Sequence, residues 1–386
     1  MRIAGIIAEY NPFHRGHAWQ IARTREAGCD RVIVCMGGHF TQRGEAAILS
    51  KWDRARMALA CGADAVFELP ALFAVRTADA FARGGVGILA GLGVDVLSFG
   101  SEITDMPLLR ALASLRDREP EAVSAAISQK LDAGMAHARA WGEAVGAYLG
   151  VAPELLNRPN AVLAAEYIRA LERLAPAVTP LAIPRQGDYH DAAMGAFASA
   201  TAIRAAFARG VVSQALEAIP EPARPWASPE ALHPMDDMLL YRLRQMTPEA
   251  LAALPDMGEG LEHRLYRLCR SASGREALLD GLKCKRYTRA RLSRILTYAL
   301  LGLDRAALEA APQPGYARLI GLRRGSEGLL GALKVRAGLP IVSGGDLRGD
   351  PCFEWECRAT DTWSLMHDDP RLRIAGREYT EKFVVV

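Results

Sequence analysis

Two histidines three positions apart, His14 and His17, stand in the stretch YNPFHRGH (residues 10–17), directly after an apolar run. The run is typical of a strand, and the pattern after it is typical of a helix. A helix begins with backbone N–H groups that have no partner inside the helix, and phosphate binds there readily. The two imidazoles add ring N–H donors on the same face, and Gly16 leaves room for close approach. The stretch therefore predicts a phosphate-binding site.

The elements around this stretch alternate between strands and helices. Apolar runs rich in valine and isoleucine predict buried parallel strands at 2–10, 31–36, 63–69 and 94–100. Helical patterns occupy 16–27, 50–61 and 74–90 between them. This alternation predicts an α/β fold with a parallel sheet and helices on both faces, in which ligands bind at the carboxyl ends of the strands. YNPFHRGH lies at one such end.

The rest of the chain divides into a second part of the same domain and a further region. The pattern is mainly helical over 107–174, predicts a fifth strand at 177–185, and continues into a polar loop, QGDYHD, at 186–191. Residues 199–210 predict a short helix capped by Ser199 or Thr201 and ended by Gly210. Several prolines mark a linker at 219–234. We predict a catalytic domain over 1–218, the linker over 219–234, and a mostly helical domain over 235–386.

Composition excludes several classes of protein. The chain has 386 residues, 50% of them hydrophobic, which excludes disorder as the main state and allows more than one domain. The seven cysteines lack the spacing of a zinc site and favour free thiols over a disulfide framework. No apolar stretch is long enough to cross a membrane and no signal-peptide pattern is visible, so we expect a cytoplasmic protein. The net charge of +3 is too small to indicate nucleic-acid binding by itself.

One local cluster of charge stands out against this weak total. The segment KCKRYTRARLSR (283–294) has six basic residues in twelve, with an aromatic ring among them. The cluster predicts a contact surface for an RNA backbone with Tyr287 available for stacking. A solvated helix face is the alternative. The candidate tRNA-binding residues are Lys283, Lys285, Arg286, Arg289, Arg291 and Arg294.

Two motifs carry a resemblance to a known superfamily. YNPFHRGH resembles the HxGH signature of nucleotidylyltransferases and class I aminoacyl-tRNA synthetases, and SATAIR (199–204) resembles their ISSTxIR signature. The resemblance implies that His14 and His17 are catalytic and stabilise the triphosphate while the α-phosphorus is attacked. It also implies that Ser199, Thr201 and Arg204 hold the distal phosphates. Ala200 replaces a serine of the second signature.

Further segments in both halves of the chain narrow the resemblance. AEYNPFHRGH, GGHFTQRGE (37–45), SKWDRARMAL (50–59), FGSE (99–102), RPN (158–160) and KRYTRARLSRIL (285–296) are similar to the bacterial tRNA(Met) cytidine acetate ligase family. Members activate acetate with ATP as acetyl-adenylate and transfer the acetyl group to the exocyclic amine of the wobble cytidine in elongator tRNA(Met). The resemblance implies a Rossmann-like parallel sheet of the HxGH type, followed by a mostly helical tRNA-binding domain.

The resemblance also assigns the nucleotide site. Mg²⁺ is expected to arrive with ATP, and tRNA and acetate are the expected partners, with no membrane and no obligate protein partner. We expect the acetate methyl group in a small apolar pocket near the first and fourth strand ends. The implied ATP-binding residues are Ile7, Ala8, Glu9, Tyr10, Asn11, Pro12, His14, Gly16, His17, Gly100, Asn160, Arg185, Ser199, Thr201 and Arg204.

Some residues and functions stay open at this point. His39 is expected to be a solvent-exposed loop residue, whereas Arg43 and Lys51 either add positive charge near the phosphates or are ordinary surface cations. A small-molecule adenylyltransferase shares both phosphate motifs, but it needs little beyond the sheet domain. A catalytically silent RNA-binding protein is disfavoured because the motif residues are intact. The RAWGEA segment (139–144) formally fits an acetyl-CoA pattern, but it lies in a continuous helical run.

Overall fold

The computed structural model describes residues 1–185, 197–228, 234–284 and 286–386. Its centre is a sheet in which five strands run parallel in the order β5-β4-β1-β2-β3, which confirms the predicted fold class. The predicted loop at 186–191 and Lys285 lie outside the described residues. The strands are β1 (Ile3–Ala8), β2 (Arg31–Gly37), β3 (Ala65–Leu69), β4 (Val96–Ser101), β5 (Thr179–Pro184), β6 (Ala317–Leu322), β7 (Ile341–Val342) and β8 (Val384–Val385).

Helices connect these strands and cover the sheet. The helix predicted at 74–90 begins at Ala78, and residues 75–77 separate it from a short helix that ends at Ala74. The helices of the first part are α1 (Arg15–Glu26), α2 (Lys51–Ala60), α3 (Ala71–Ala74), α4 (Ala78–Gly91), α5 (Met106–Asp117), α6 (Glu121–Asp132), α7 (His137–Leu149), α8 (Pro153–Leu156), α9 (Pro159–Leu174), α10 (Ala200–Ala208) and α11 (Val212–Glu217). Those that follow are α12 (Asp236–Gln245), α13 (Pro248–Ala252), α14 (Leu261–Leu268), α15 (Arg275–Leu282), α16 (Arg289–Leu301), α17 (Arg305–Glu309), α18 (Glu327–Arg336), α19 (Pro351–Ser364) and α20 (Arg377–Thr380).

The core lies on both faces of the sheet because successive side chains of a strand point to opposite sides. In β1, Ile3 and Ile7 belong to one buried cluster, and Ile6 belongs to the other. The first cluster continues without a break into the C-terminal helices, where Leu278 and Leu292 are buried in it. The helical region therefore shares a hydrophobic core with the sheet.

The chain returns to the sheet after the helical region. Strand β6 pairs antiparallel with β3, and β8 pairs parallel with β6. The proline-rich segment is also packed, because its 3-10 helix Glu221–Trp226 lies against α2 and Ala223 is fully buried. Residues 235–386 thus contribute strands to the sheet that the division at 219–234 does not anticipate.

Two further features bear on function. RAWGEA lies inside α7, as the continuous helical pattern predicts. Within the described ranges, no helix has both the length and the apolar character needed to cross a membrane.

Candidate active site

The start of α1 is built by its two histidines. His14 is the N-cap residue, and its Nδ1 accepts a hydrogen bond from the Gly16 N–H at 3.1 Å. His17 Nδ1 accepts from the His14 backbone N–H at 3.2 Å, so the two side chains complete a reciprocal capping box. The rings are stacked with centroids 3.8 Å apart. Because both Nδ1 atoms accept, each neutral ring carries its proton on Nε2, where it is available to a ligand.

Both histidines are kept neutral by their surroundings. Burial, together with the positive charges of Arg185 and Arg204, lowers the pKa of His14 to about 3. Burial also holds the pKa of His17 well below its usual range, with His14 and Arg185 adding to the effect. The pair therefore offers two uncharged N–H donors at neutral pH rather than two imidazolium charges.

Gly16 has a packing role beside the predicted one. A Cβ at this position would lie 2.9 Å from His14 Cε1. Any side chain would therefore push the first imidazole out of its capping position. The glycine leaves room for the histidine ring itself as well as for a ligand.

The second motif meets the first at the same place. Ser199 caps α10 by accepting from the Ala202 N–H at 3.1 Å. Arg204 donates from Nη1 to the Asn11 carbonyl at 2.8 Å and from Nη2 to Thr201 Oγ1 at 3.3 Å. The start of α1 is joined to the segment after α10 as well, since the Arg15 N–H donates to the Ala218 carbonyl at 3.0 Å. Two helix N-termini thus lie beside each other.

A cavity of about 630 Å³ opens over these helix starts. Gly16 lies in an adjoining cavity of about 40 Å³ that His14 and His17 also line. Pro12 lines neither of these cavities. The predicted nucleotide residues that line the large cavity are Ile7, Ala8, Glu9, Tyr10, Asn11, His14, His17, Gly100, Asn160, Arg185, Ser199, Thr201 and Arg204.

The remaining predicted nucleotide residues stand at the ends of β4, β5 and α9. Gly100 is near the end of β4, where an added Cβ would meet Arg185 Cγ at 3.6 Å, an ordinary contact. Asn160 is in the first turn of α9, and its Nδ2 donates to Glu102 Oε1 at 2.9 Å. Its amide oxygen is the atom left to face a base or ribose, so the prediction for Asn160 stays open.

The chain resembles proteins of one family over nearly its whole length. Residues 1–377 match the family model described as HIGH Nucleotidyl Transferase. A tRNA(Met) cytidine acetate ligase of Syntrophomonas wolfei is 34% identical over 98% of this chain and 98% of its own length. The protein of the same name from Syntrophotalea carbinolica is 38% identical over 89% of this chain and 85% of its own length. The chain belongs to the tRNA(Met) cytidine acetate ligase family.

A solved structure of the family agrees with the fold. The crystal structure of Thermotoga maritima TmcAL bound with α-thio ATP is 27% identical and covers 100% of this chain and 99% of its own length, with a TM-score of 0.90. The apo form of the same protein gives a TM-score of 0.91. The resemblance inferred from the motifs is confirmed.

The cavity also has lining residues that the motifs did not indicate. They come from α1, the loop after β2, β4, α4 and α9, and from α16 in the C-terminal region, with the cap residues of α4 and α16 included. No local pattern in the sequence distinguishes them, although Gln42, Arg43 and Glu45 lie in the GGHFTQRGE segment that carried the family resemblance. These additional residues include Gln20, Thr41, Gln42, Arg43, Glu45, Thr77, Phe81, Phe99, Tyr167, Thr288 and Arg294.

The loop after β2 is held against α16. The Gly44 carbonyl accepts from Thr297 Oγ1 at 2.8 Å and from Arg275 Nη2 at 2.7 Å. Gly44 has a φ of +71°, and a Cβ there would lie 2.7 Å from the Arg294 backbone. Only glycine fits this left-handed conformation and this close approach without a shift. The C-terminal helices therefore set the position of one wall of the cavity.

The expectation for His39 is wrong. The residue is fully buried, its Nδ1 lies 2.9 Å from Thr360 Oγ1, and its Nε2 accepts from the Lys51 N–H at 3.3 Å. Burial lowers its pKa well below the usual range. The residue is buried because α19, which carries Thr360, packs over the loop from a distant part of the chain.

Lys51 is not a surface cation either, and it lies away from the phosphate cradle. Its ammonium group is fully buried and contacts three carboxylates, Glu68 and two from the C-terminal region. Arg318 adds a second cation, which bonds Glu68 at 2.8 Å. We refer to Lys51, Glu68, Arg318, Glu356 and Glu378 as the ionic cluster.

The carboxylates of the ionic cluster bind the Lys51 ammonium group rather than a metal ion. The ligand atoms of His39, Glu356 and Glu378 all lie within 4.8 Å of one another. The Lys51 ammonium, however, lies 3.0 Å from Glu356 and 2.6 Å from Glu378, in the position that a cation would need. Burial and the neighbouring carboxylates raise the pKa of Glu356 to about 7. Burial alone would raise the pKa of Glu68, but Arg318 and Lys51 lower it to about 2.

The basic segment divides into an exposed part and a buried part. Lys283, Arg286 and Arg289 are exposed, and Arg289 pairs with carboxylates of α15. Arg291 donates to the Asp256 carbonyl and lies over the Tyr287 ring, which is itself buried. That ring is thus already covered on one face by an arginine.

Arg294 belongs to the cavity rather than to the outer surface. It is buried, and its Nε donates to Asp256 Oδ2 at 3.1 Å. The side chain also lines the large cavity together with Thr288, the N-cap residue of α16. The basic segment therefore reaches from the surface to the active-site cavity.

Proposed function

We propose that this chain activates acetate with ATP and acetylates the exocyclic amine of the wobble cytidine of elongator tRNA(Met). The observation that carries the proposal is the meeting of two capped helix N-termini, α1 and α10, at one cavity in a member of the tRNA(Met) cytidine acetate ligase family. In the activation step, an acetate oxygen attacks the α-phosphorus of ATP and diphosphate leaves. In the transfer step, the amine attacks the acetyl carbonyl carbon and AMP leaves.

The activation step needs positioning and charge stabilisation rather than a base, because acetate is already ionised at neutral pH. Negative charge grows on the phosphate oxygens as diphosphate departs. We assign the Nε2–H groups of His14 and His17 as donors to these oxygens, with the α1 N-terminus behind them. Ser199, Thr201 and Arg204 are suited to the distal phosphates, because they lie at the neighbouring helix start.

Neutral histidines suit this role because buried donors stabilise growing charge without needing to titrate. An imidazolium pair stacked at 3.8 Å would repel itself and the nearby Arg185 and Arg204. The arrangement instead leaves the fixed positive charge to the arginines and uses the imidazoles for directed hydrogen bonds.

We assign the nucleoside of ATP to the side of the cavity formed by β4 and β5, with Gly100, Asn160 and Arg185. We assign the end of β1 and the residues after it, Ile7 to Asn11, to the lining between the two sides. The acetate methyl group is placed near Ile7 and Phe99, which are at the ends of β1 and β4 and line the same cavity. Both side chains are buried and apolar, as a pocket for a methyl group requires.

Mg²⁺ fits this site as a companion of ATP. The carboxylates among the described cavity residues are those of Glu9 and Glu45, and Glu45 already lies 3.5 Å from Arg204. Mg²⁺ keeps several waters and binds phosphate oxygens, so it needs few protein ligands. It would supply further charge neutralisation on the phosphates.

A test of the function is transfer of labelled acetate to bulk bacterial tRNA. We expect label in tRNA when ATP is present, and nucleoside digestion should identify N4-acetylcytidine. Acetyl-CoA without ATP is the control and should give no product. Diphosphate release with phosphorylated small molecules, and no label in tRNA, would instead support the alternative small-molecule adenylyltransferase.

The exposed part of the basic segment is the candidate tRNA surface. Replacement of Lys283, Arg286 and Arg289 by alanine should weaken tRNA binding and reduce its dependence on salt, because fewer counterions are released. Lys285 and Arg291 stay candidates for tRNA contact on the strength of the sequence. The matched control replaces three exposed cations elsewhere, Arg118, Lys334 and Arg371. An equal salt dependence in the two triple variants would contradict this surface.

A further inference from the structure

Glu9 places a carboxylate in the cavity directly after β1. Its Oε1 accepts from the Gln42 backbone N–H at 2.5 Å. The backbone carbonyl of Glu9 accepts a hydrogen bond from Arg54 Nη1, and Gln42 Nε2 donates to the Arg76 backbone carbonyl at 2.7 Å. Main chain and side chain are therefore both held, so the carboxylate has a fixed position.

The carboxylate faces the part of the cavity away from the proposed nucleoside site. Strand β1 lies between β4 and β2, and Gly100 and Arg185 stand at or just after the ends of β4 and β5. Glu9 is bonded instead to the loop that follows β2, which packs against α16 through Gly44. Beside this loop, Thr288 and Arg294 of the α16 end also line the cavity. This part of the cavity borders the basic segment, from which the tRNA would approach.

Glu9 differs from the other carboxylate of the described cavity residues. Glu45 is 42% exposed and pairs with Arg204. Glu9 is only partly exposed, and among the described residues its carboxylate accepts one hydrogen bond, through Oε1. Its second oxygen is thus available to a proton donor in the cavity.

The transfer step produces a proton that must be removed. When the cytidine N4 amine forms a bond to the acetyl carbonyl carbon, the nitrogen becomes positively charged. The bond from that carbon to the phosphate oxygen then breaks, and AMP leaves with the electron pair. We propose that the Glu9 carboxylate is the general base that takes the N4 proton in this step, and this proposal rests on the proposed function. The proton later passes from Glu9 to solvent.

The surroundings of Glu9 favour a base that works near neutral pH. Burial raises the pKa of its carboxyl group above the usual range, and Glu45 raises it further. The hydrogen bond from the Gln42 N–H and the positive charges of Arg43 and Arg54 act in the opposite direction. Tyr167 lines the same cavity, and burial raises the pKa of its phenol. A carboxylate whose pKa is moved towards the working pH is a more effective base.

The test compares the two half-reactions in the full-length Glu9→Gln variant. Glutamine keeps an oxygen that can accept from the Gln42 N–H, so the loop is held as before. Acetate-dependent exchange of labelled diphosphate into ATP measures activation. Single-turnover transfer from preformed acetyl-adenylate to tRNA measures the second step. We expect transfer to fall at least ~100-fold more than exchange, as is typical of a lost general base.

Two further readouts separate catalysis from positioning. The wild-type transfer rate should rise with pH as Glu9 ionises, and Glu9→Gln should lose this limb, whereas Glu9→Asp should keep it at a lower rate. Equal losses in both half-reactions, or an unchanged pH profile, would overturn the proposal. A wild-type protein that forms acetyl-adenylate but never acetylates tRNA would overturn the proposed function instead.

Discussion

The histidine pair at the start of α1 and the ionic cluster are both buried and polar, yet they are assembled in different ways. His14 and His17 are three residues apart, and their side chains accept hydrogen bonds from backbone N–H groups at the start of the same helix. A short motif therefore contains the whole arrangement. The ionic cluster joins α2, β3, β6, α19 and α20, and its most distant partners, Lys51 and Glu378, are 327 residues apart. The histidine pair leaves N–H donors available to a ligand, whereas the charged groups of the ionic cluster pair with one another.

The difference points to separate roles. Each histidine gives one ring nitrogen to the backbone and keeps the other for the cavity. In the ionic cluster, Lys51 contacts three carboxylates and Arg318 contacts two of the same three. We therefore expect the cluster to hold the C-terminal region on the sheet and the pair to stabilise the reaction.

The largest effect is expected from Lys51→Met. The substitution leaves three buried carboxylates with one cation, and breaking a buried ion pair costs ~3–5 kcal/mol. The free energy of unfolding, measured by denaturant titration at pH 7, should fall by that amount. Lys334→Met, at an exposed lysine of α18, is the control and should change it little. If both variants were equally stable, the cluster would not hold the fold.

The next effect concerns catalysis. His14→Asn keeps a side-chain oxygen that caps α1 but removes the Nε2–H donor. Acetate-dependent exchange of diphosphate into ATP should fall at least ~100-fold, or about 2.7 kcal/mol, as expected for a lost transition-state donor. His17→Ala should act likewise, and exposed His263→Asn is the control. Near-normal exchange in a folded His14 variant would remove the catalytic role and with it the contrast between the two groups.

The same contrast explains what the sequence predicts and what it misses. The strands β1 to β5 and the helices α1, α2 and α10 follow from local periodicity and caps, so they and the position of YNPFHRGH were predictable. The burial of His39 and Lys51 was not, because α19 and α20 cover them from the far end of the chain. The helix pattern predicts that Arg294 is a surface cation. In the structure it pairs with Asp256 and packs against the Gly44 loop, so it lines the cavity.

The smallest effect is a difference in how the two groups respond to acid. The folded pKa of His14 is about 3, below the ordinary value of 6.5, so the unfolded chain binds more protons between these values. Its contribution to stability is therefore present above pH 6.5 and is lost as pH falls, by about 1 kcal/mol between pH 7 and 5.5. Glu356 has the opposite sign, because its raised pKa makes the folded chain bind more protons than the unfolded one as pH falls from 7.

Variants of the two groups should consequently change acid sensitivity in opposite directions. Unfolding free energies at pH 7 and 5.5 should differ less in His14→Asn than in the wild type, and more in Glu356→Gln. The relevant quantity is the difference between the two pH values within each variant, so a uniform loss of stability does not affect it. A shift in the same direction for both variants would show that the two groups do not titrate in opposite senses. The histidine pair would then owe its neutrality to something other than burial beside Arg185 and Arg204.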